Sequence, residues 1–209
     1  MKKWLDKYKS LIIINKKTMF FFTILLVIGI ISGSIFMAIL NETDKNLITE
    51  YFNSFLTNIE INKLNYFEAL KNGLFNNLLY IILIWILGIS VIGFPIVIIM
   101  FFIKSFTLGF SISSIIFNYK LKGCLLSFAN IFPHQILNFV IYMILTTYAL
   151  FFSLKIISAV INKKQIDFKI MMNKYIKVLI VSTIVIIISI LIETFITPLL
   201  IKIIIPFIK

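Results

Sequence analysis

Three ionisable residues, Lys104, His134 and Glu193, interrupt long apolar runs and are the groups most able to carry chemistry. Ionisable side chains at membrane depth are costly and usually face a bundle interior or a wet cavity. At about 1.5 Å per residue, His134 lies roughly 13 Å and Glu193 roughly 10 Å below one surface, with Lys104 about 12 Å above the other. His134 and Glu193 can therefore meet in an intramembrane polar cluster, which Lys104 can reach through its long stem.

An alternative interpretation keeps these three residues apart. Lys104 then extends its ammonium to the inner surface and Glu193 lies near the lipid headgroups. His134 then hydrogen-bonds to carbonyls that Pro133 leaves without a backbone donor. The sequence leaves both interpretations open.

The chain lacks the residue patterns of common enzymes and cofactor sites. It has no H-E-x-x-H, no G-x-S-x-G and no glycine-rich phosphate loop, so we expect no catalytic residues. One cysteine, Cys124, cannot form an intrachain disulfide, and a single histidine cannot build a histidine-rich metal site. We therefore expect no metal and no cofactor. All 20 basic residues are lysine, so without arginine a nucleic-acid partner is not expected.

Composition places the chain in a membrane. Of its 209 residues 61% are hydrophobic and 13% are charged, with a mean hydropathy of +1.08. Such a chain has too little polar surface to cover a water-soluble globule. We predict an all-α fold, a polytopic membrane helix bundle that forms one domain over residues 1–209 and contacts membrane lipid.

The distribution of charge predicts the topology. The segment before residue 18 and the segment 155–177 each contain six lysines and one aspartate, whereas five acids outnumber three lysines in 41–77. Lysine-rich segments stay in the cytoplasm, so we expect a cytoplasmic N-terminus and an extracytoplasmic C-terminus in the cell membrane, with the first span an uncleaved anchor. The predicted elements are about five spans at 19–40, 78–94, 96–117, 131–154 and 178–200, an outer loop at 41–77 and a cytoplasmic loop at 155–177.

The break between the second and third spans rests on Gly93 and Pro95, because proline removes a backbone donor and clashes with the preceding turn. The second span is short. Residues 78–117 therefore hold either two full spans or a span and a half-membrane helix.

The outer loop contains an amphipathic helix. Its apolar residues recur at steps of one, three and four, a pattern typical of one helix face. These residues are Leu47, Ile48, Tyr51, Phe52, Phe55, Leu56 and Ile59. A second short helix is predicted after Asn62 and Lys63. Either both helices pack on the bundle or the outer leaflet, or the first is a platform for a partner protein.

Small residues at steps of four indicate close helix packing. Gly29 and Gly33 form one such face, and Ser105, Gly109 and Ser113 form another. Such faces let helix backbones approach closely in a membrane. The pattern leaves open whether they join spans of one chain or two copies in a homo-oligomer.

Several short motifs, taken in order, resemble the integral-membrane family of stage II sporulation protein M. They are the Asn76-Asn77 pair, Gly88, the Gly93-x-Pro95 break, the segment from Phe102 to Phe110 that reads F-I-K-S-F-T-L-G-F, and Phe132-Pro133-His134. Together with the five-span plan, this resemblance covers most of the chain. Relatives outside sporulation have a glutamate after the Pro-His element, where this chain has Asn138.

The resemblance implies a non-catalytic membrane scaffold of endospore formation. On that basis the protein would anchor and localise two peptidoglycan hydrolases, the stage II sporulation proteins D and P, at the septum during wall thinning and engulfment. The amphipathic helix of the outer loop is where such partners would bind. The alternative is a small transporter or lipid-handling protein that uses Lys104, His134 and Glu193.

Overall fold

The structure is a computed structural model that describes residues 16–163 and 167–208, with side chains described for 17–163 and 167–206. The elements in chain order are α1 (Lys16–Ile39), α2 (Glu42–Glu60), α3 (Tyr66–Ile89), α4 (Gly93–Asn162), α5 (Phe168–Leu191), a π-helical segment (Ile192–Ile196) and α6 (Thr197–Ile208). Within those ranges every element is a helix, which confirms the all-α fold class. The lysines before residue 16, Lys164 and the C-terminal Lys209, which support part of the predicted topology, lie outside the described residues.

Several helices have the length and composition of membrane spans. The described residues contain four such stretches, Lys17–Ile39, Tyr66–Ile89, Gly93–Asn162 and Phe168–Pro206. Much of their apolar surface is exposed, for example at Ile31, Ile103 and Ile184. Exposed apolar side chains on long helices are compatible with a multi-pass membrane protein whose surface faces lipid.

Helix α4 folds back on itself. A straight helix of its 70 residues would be about 100 Å long, but the backbone departs from helical geometry at Lys120, where φ is 52° and ψ is −129°. The rings of Phe101 and Phe139 then lie 6.3 Å apart. A Cβ added at Gly123 would lie 2.6 Å from the carbonyl oxygen of Ile115, so this glycine allows the tight approach after the reversal. We call residues 93–119 the first limb of α4 and residues 121–162 its second limb.

Two predicted boundaries differ from the observed helices. The expected second short helix of the outer loop is the first half of α3, which continues without a break to Ile89. This helix begins at residue 66 because the Asn65 side chain accepts the Glu68 backbone N–H and caps its start. The predicted loop 155–177 is mostly helical, since α4 continues to residue 162 and Asp167 caps α5. An apolar run marks only the apolar part of a helix, whereas the helix itself can extend into polar residues at either end.

The core lies where α3, α4 and α5 meet. Ile84, Phe101, Tyr142 and Tyr175 are fully buried in it. Near Tyr175, a Cβ at Gly88 would collide with that tyrosine and with α4. The Tyr175 hydroxyl donates to the Trp85 carbonyl at 3.1 Å, so a buried polar tip finds a partner on α3.

Helix α1 packs on the first limb of α4 through the predicted small-residue faces. A Cβ added at Gly29 would lie 2.5 Å from the Ser105 Cβ, and one added at Gly33 or Gly109 would overlap backbone atoms of the facing helix. The Ser34 hydroxyl donates to the Gly109 carbonyl at 3.3 Å. The predicted small residues Gly29, Gly33, Ser105 and Gly109 therefore join two helices of one chain. Ser113 lies further along the same limb and is half-buried.

Replacing Gly109 with leucine should destabilise the folded chain, because backbone of α1 occupies the space that the new side chain needs. We expect the free energy of unfolding to fall by about 3 kcal/mol, measured by thermal or denaturant unfolding in detergent. Ile103→Leu, at an exposed position on the same limb, is the matched control. Equal stability of the two variants would contradict the close α1–α4 contact.

Candidate functional site

Helix α2 is fixed across one end of the bundle by polar contacts. The Lys45 ammonium donates to the Ala38 carbonyl at 3.1 Å, in the last turn of α1, and lies 4.9 Å from the centre of the Phe117 ring. A lysine at a helix C-terminus satisfies a carbonyl that has no partner within its own helix. The Thr49 hydroxyl donates to the Asn118 side-chain oxygen at 2.6 Å. These contacts tie α2 to α1 and to the reversal of α4.

The apolar stripe predicted on α2 divides into two parts in the structure. Ile59 is 2% exposed and packs with Ile115, Leu126, Ile201 and Ile205, and the half-buried Phe52, Phe55 and Leu56 pack against the same cluster. Leu47 and Tyr51, by contrast, are 64% and 79% exposed, with Ile48 half-buried between them. Most of the stripe therefore holds α2 to the bundle, and only its N-terminal part is available to a partner.

A cavity of about 720 Å³ lies between α2 and the two limbs of α4. One wall is apolar and aromatic, with Tyr51, Phe52 and Phe55 from α2. The other wall carries polar side chains from α4, the π-helical segment and α6, namely Lys104, Thr107, Ser111, Ser114, Asn130, His134, Gln135, Glu193, Thr194 and Thr197. A largely apolar concavity with a few convergent polar groups is the usual form of a small-molecule site.

The structure brings Lys104, His134 and Glu193 to this one cavity. The His134 Nε2 lies 3.9 Å from Glu193 Oε1, and the histidine side chain is 6% exposed against 41% for the glutamate. The Lys104 ammonium lies over the rings of Tyr80 and Tyr142, 5.3 Å and 5.6 Å from their centres. Aromatic faces attract a cation, so these two tyrosines hold the lysine inside the bundle rather than at its outer surface.

A π-helical segment positions Glu193. Residues 192–196 form one wide turn between α5 and α6, and both Glu193 and Thr194 line the cavity. Just before this turn, the Ser189 hydroxyl donates to the His134 carbonyl at 2.9 Å and ties α5 to the second limb of α4. Single π-turns inside α-helices are rare and are frequently found at functional sites.

A polar stripe continues from the cavity into the core along the second limb of α4. It consists of Asn130, His134, Asn138, Tyr142 and Thr146, each four residues from the last. Asn138 is 1% exposed, and its side-chain oxygen has no hydrogen-bond partner among the described residues. The Tyr142 hydroxyl donates to the side-chain oxygen of Asn77 on α3 at 2.6 Å. The stripe therefore links the cavity to a buried polar contact with α3.

Sequence reasoning missed several of these positions. Asn130 and Tyr142 were not predicted as site residues, although polar residues at steps of four within an apolar run are a recognisable signal. Gln135, next to His134 and outside that stripe, was also missed. Asn77 was noted only as part of the family resemblance. The position of the cavity depends on how α2 folds over the bundle, which no local pattern in the sequence reports.

The described residues contain no cluster of three His, Cys, Asp or Glu side chains that could hold a metal ion. What the site offers is one cation, one carboxylate, an imidazole and several hydroxyl and amide groups beside an aromatic wall. Such groups can bind a molecule that is apolar at one end and charged at the other. The fold and the site thus define a helical protein compatible with multiple membrane passes and with a cavity for an amphipathic ligand.

Comparison with known families identifies the chain. The family of stage II sporulation protein M matches residues 19–198, which is most of the sequence. The chain therefore belongs to the stage II sporulation protein M family, whose members are sporulation membrane proteins. No curated protein and no solved structure gives a significant match.

Replacing Asn77 with alanine should destabilise the protein, because the buried Tyr142 hydroxyl loses its acceptor. We expect a loss of about 1–3 kcal/mol in the free energy of unfolding. Asn76→Ala, at the exposed neighbouring position, is the control and should change stability by less than about 0.5 kcal/mol. Combining Asn77→Ala with Tyr142→Phe should cost less than the sum of the two single losses. Additive losses would show that the two side chains do not interact.

Proposed function

We propose that this protein is a non-catalytic membrane scaffold that anchors peptidoglycan hydrolases at the septum during engulfment. Membership of the stage II sporulation protein M family supports a role in sporulation. The partners that we propose are the stage II sporulation proteins D and P. The observation that carries the proposal is the position of α2. This helix is fixed across one end of the bundle and exposes two apolar residues, Leu47 and Tyr51, which we call the apolar corner.

The exposed part of α2 suits a protein partner. Leu47 and Tyr51 lie one helical turn apart and form an apolar corner. Around it, Glu42, Asp44 and Glu50 give the helix an acidic rim. A small aromatic and aliphatic centre surrounded by polar groups is typical of the energetically dominant part of a protein interface. Because α2 is already folded and fixed, a partner would lose little binding energy in ordering it.

The contacts of the chain support a five-span topology with α2 outside. Helix α2 contacts the reversal of α4 near Asn118, and the Lys202 ammonium of α6 donates to the Asn62 side-chain oxygen at 2.9 Å. These elements share one end of the bundle. The connection before Gly93 and the connection at Lys163 then belong to the other end, where the Ser153 hydroxyl donates to the Ser90 carbonyl at 2.9 Å. We propose that the lysine-rich end is cytoplasmic, as positive charge in short loops favours.

Placing two charges on the exposed corner should weaken partner binding without unfolding the protein. For Leu47→Asp with Tyr51→Asp, we expect normal membrane abundance and recovery of proteins D and P reduced by about tenfold or more. Both quantities are measured by co-purification from sporulating cells. Normal recovery from a normally abundant variant would exclude this corner as the binding site.

The matched control is Phe52→Asp with Phe55→Asp, one turn further along the same helix. These rings pack on the bundle, and Phe52 lies 5.9 Å from the Tyr119 ring. Burying a charge there is costly, so this variant should lose abundance rather than lose only the partner. If instead it accumulates normally and loses the hydrolases, the inner part of the stripe is the docking surface.

Cysteine labelling tests the proposed topology. In a Cys124→Ser background, a membrane-impermeant thiol reagent should label Ser54→Cys in intact cells, because α2 lies outside. Lys163→Cys should react only after the membrane is made permeable. Labelling of position 163 in intact cells would contradict the five-span arrangement.

A further inference from the structure

The cavity beneath α2 has features that a scaffold for hydrolases does not need. Lys104 and Glu193 line the same space, and no ion pair joins them within the described part of the chain. The Lys104 ammonium lies over two tyrosine rings and Glu193 lies 3.9 Å from His134, but among the described residues neither has an oppositely charged partner at hydrogen-bond distance. Partly buried charges without such a partner are costly. We propose that the cavity binds the headgroup of a zwitterionic aminophospholipid of the phosphatidylethanolamine class, with the phosphate at Lys104 and the ammonium at Glu193.

The charges of the cavity select a zwitterion. An anionic headgroup alone would satisfy Lys104 but would leave the Glu193 carboxylate beside negative charge. A cationic group alone would pair with Glu193 but would lie beside the positive charge of Lys104. Phosphate and primary ammonium on one headgroup give each protein charge an opposite partner, and the ligand remains neutral overall.

Unpartnered polar atoms favour a primary ammonium over a quaternary one. The buried Gln135 Oε1 and His134 Nδ1 have no hydrogen-bond partner among the described side and main chains, and both residues line the cavity. A primary ammonium carries three N–H donors, which can reach a carboxylate and an amide oxygen together. A choline headgroup has no N–H donor, so it would leave Gln135 unsatisfied.

The walls of the cavity favour a lipid over a soluble zwitterion. The space extends from Tyr51 at the bundle end down to Phe139, and Leu108 and Ile131 add apolar surface along it. Lys104 lies fifteen residues before Tyr119, where the first limb ends beside α2, so it is about 22 Å below that end of the bundle. A headgroup at that depth can keep its acyl chains against apolar walls.

Lipid binding in this cavity would be independent of the scaffold role. The test uses the purified full-length chain without any hydrolase. Dioleoyl phosphatidylethanolamine and dioleoyl phosphatidylcholine are titrated into the detergent-solubilised protein, and the shift in melting temperature gives an apparent Kd for each. We expect phosphatidylethanolamine to bind about tenfold more tightly than phosphatidylcholine. Equal affinities would overturn the proposal.

Two charge-neutralising variants assign the contacts. Glu193→Gln should remove the preference for phosphatidylethanolamine, whereas Lys104→Gln should weaken both lipids by about tenfold because both carry the phosphate. The matched controls are Glu50→Gln on α2 and Lys155→Gln, whose ammonium lies over Phe151 outside the cavity. Folded Glu193→Gln and Lys104→Gln variants with wild-type lipid affinities would exclude the site.

Native mass spectrometry of the wild-type chain keeps the proposal testable if a variant fails to fold. Phosphatidylethanolamine should remain bound at a higher proportion than its share of the added lipid mixture. Bound lipid that only reflects the mixture would contradict the proposal. Soluble phosphoethanolamine, at concentrations where the lipid saturates, should give no thermal shift. An equal shift would show that the cavity recognises a free zwitterion and would overturn the lipid assignment.

Discussion

The contact between α1 and the first limb of α4 fixes the rotation of that limb, and the arrangement of the cavity follows from it. Gly29 and Gly33 let the α1 backbone reach Ser105 and Gly109 directly. Successive residues of a helix point about 100° apart, so turning Ser105 toward α1 turns Lys104 toward the cavity. The position of the lysine in the site therefore depends on small residues that never touch a ligand.

Lys104 in turn depends on the aromatic groups around it. The rings of Tyr80 and Tyr142 receive its ammonium, and the Tyr142 hydroxyl is fixed by Asn77 on α3. Helix α3 and the two limbs of α4 thus cooperate in holding one cation inside the bundle. The α2 helix then forms the other side of the cavity, and its exposed residues Leu47 and Tyr51 lie at the mouth of that cavity as well as on the surface. One short helix therefore serves both as a wall of the cavity and as the proposed partner surface.

Much of the fold follows from local patterns in the sequence. The all-α class, the packing role of Gly29 and Gly109 and the family resemblance all come from periodicity, spacing and short motifs, and the fold class and the family are confirmed. The division of the α2 stripe was not predictable, because a helical pattern shows which residues share a face but not where another helix covers that face. Ile59 and Tyr51 belong to one stripe in sequence, yet the cluster around Ile201 buries only the first. The cavity escaped prediction for the same reason, since its walls come from segments more than one hundred residues apart.

The reversal at Lys120 has a consequence for biogenesis. The two limbs of α4 follow one another without an extended loop, and the polar residues at the turn are few: Asn118, Tyr119, Lys120 and Lys122. If the limbs cross the bilayer, very little polar chain has to be translocated between them, so they can enter as a preformed helical hairpin whose backbone hydrogen bonds are already made. Gly123 has no side chain to keep the two limbs apart, so that hairpin can close without a contact from another helix. The α4 hairpin would then be the template onto which α1 and α5 pack as the bundle assembles.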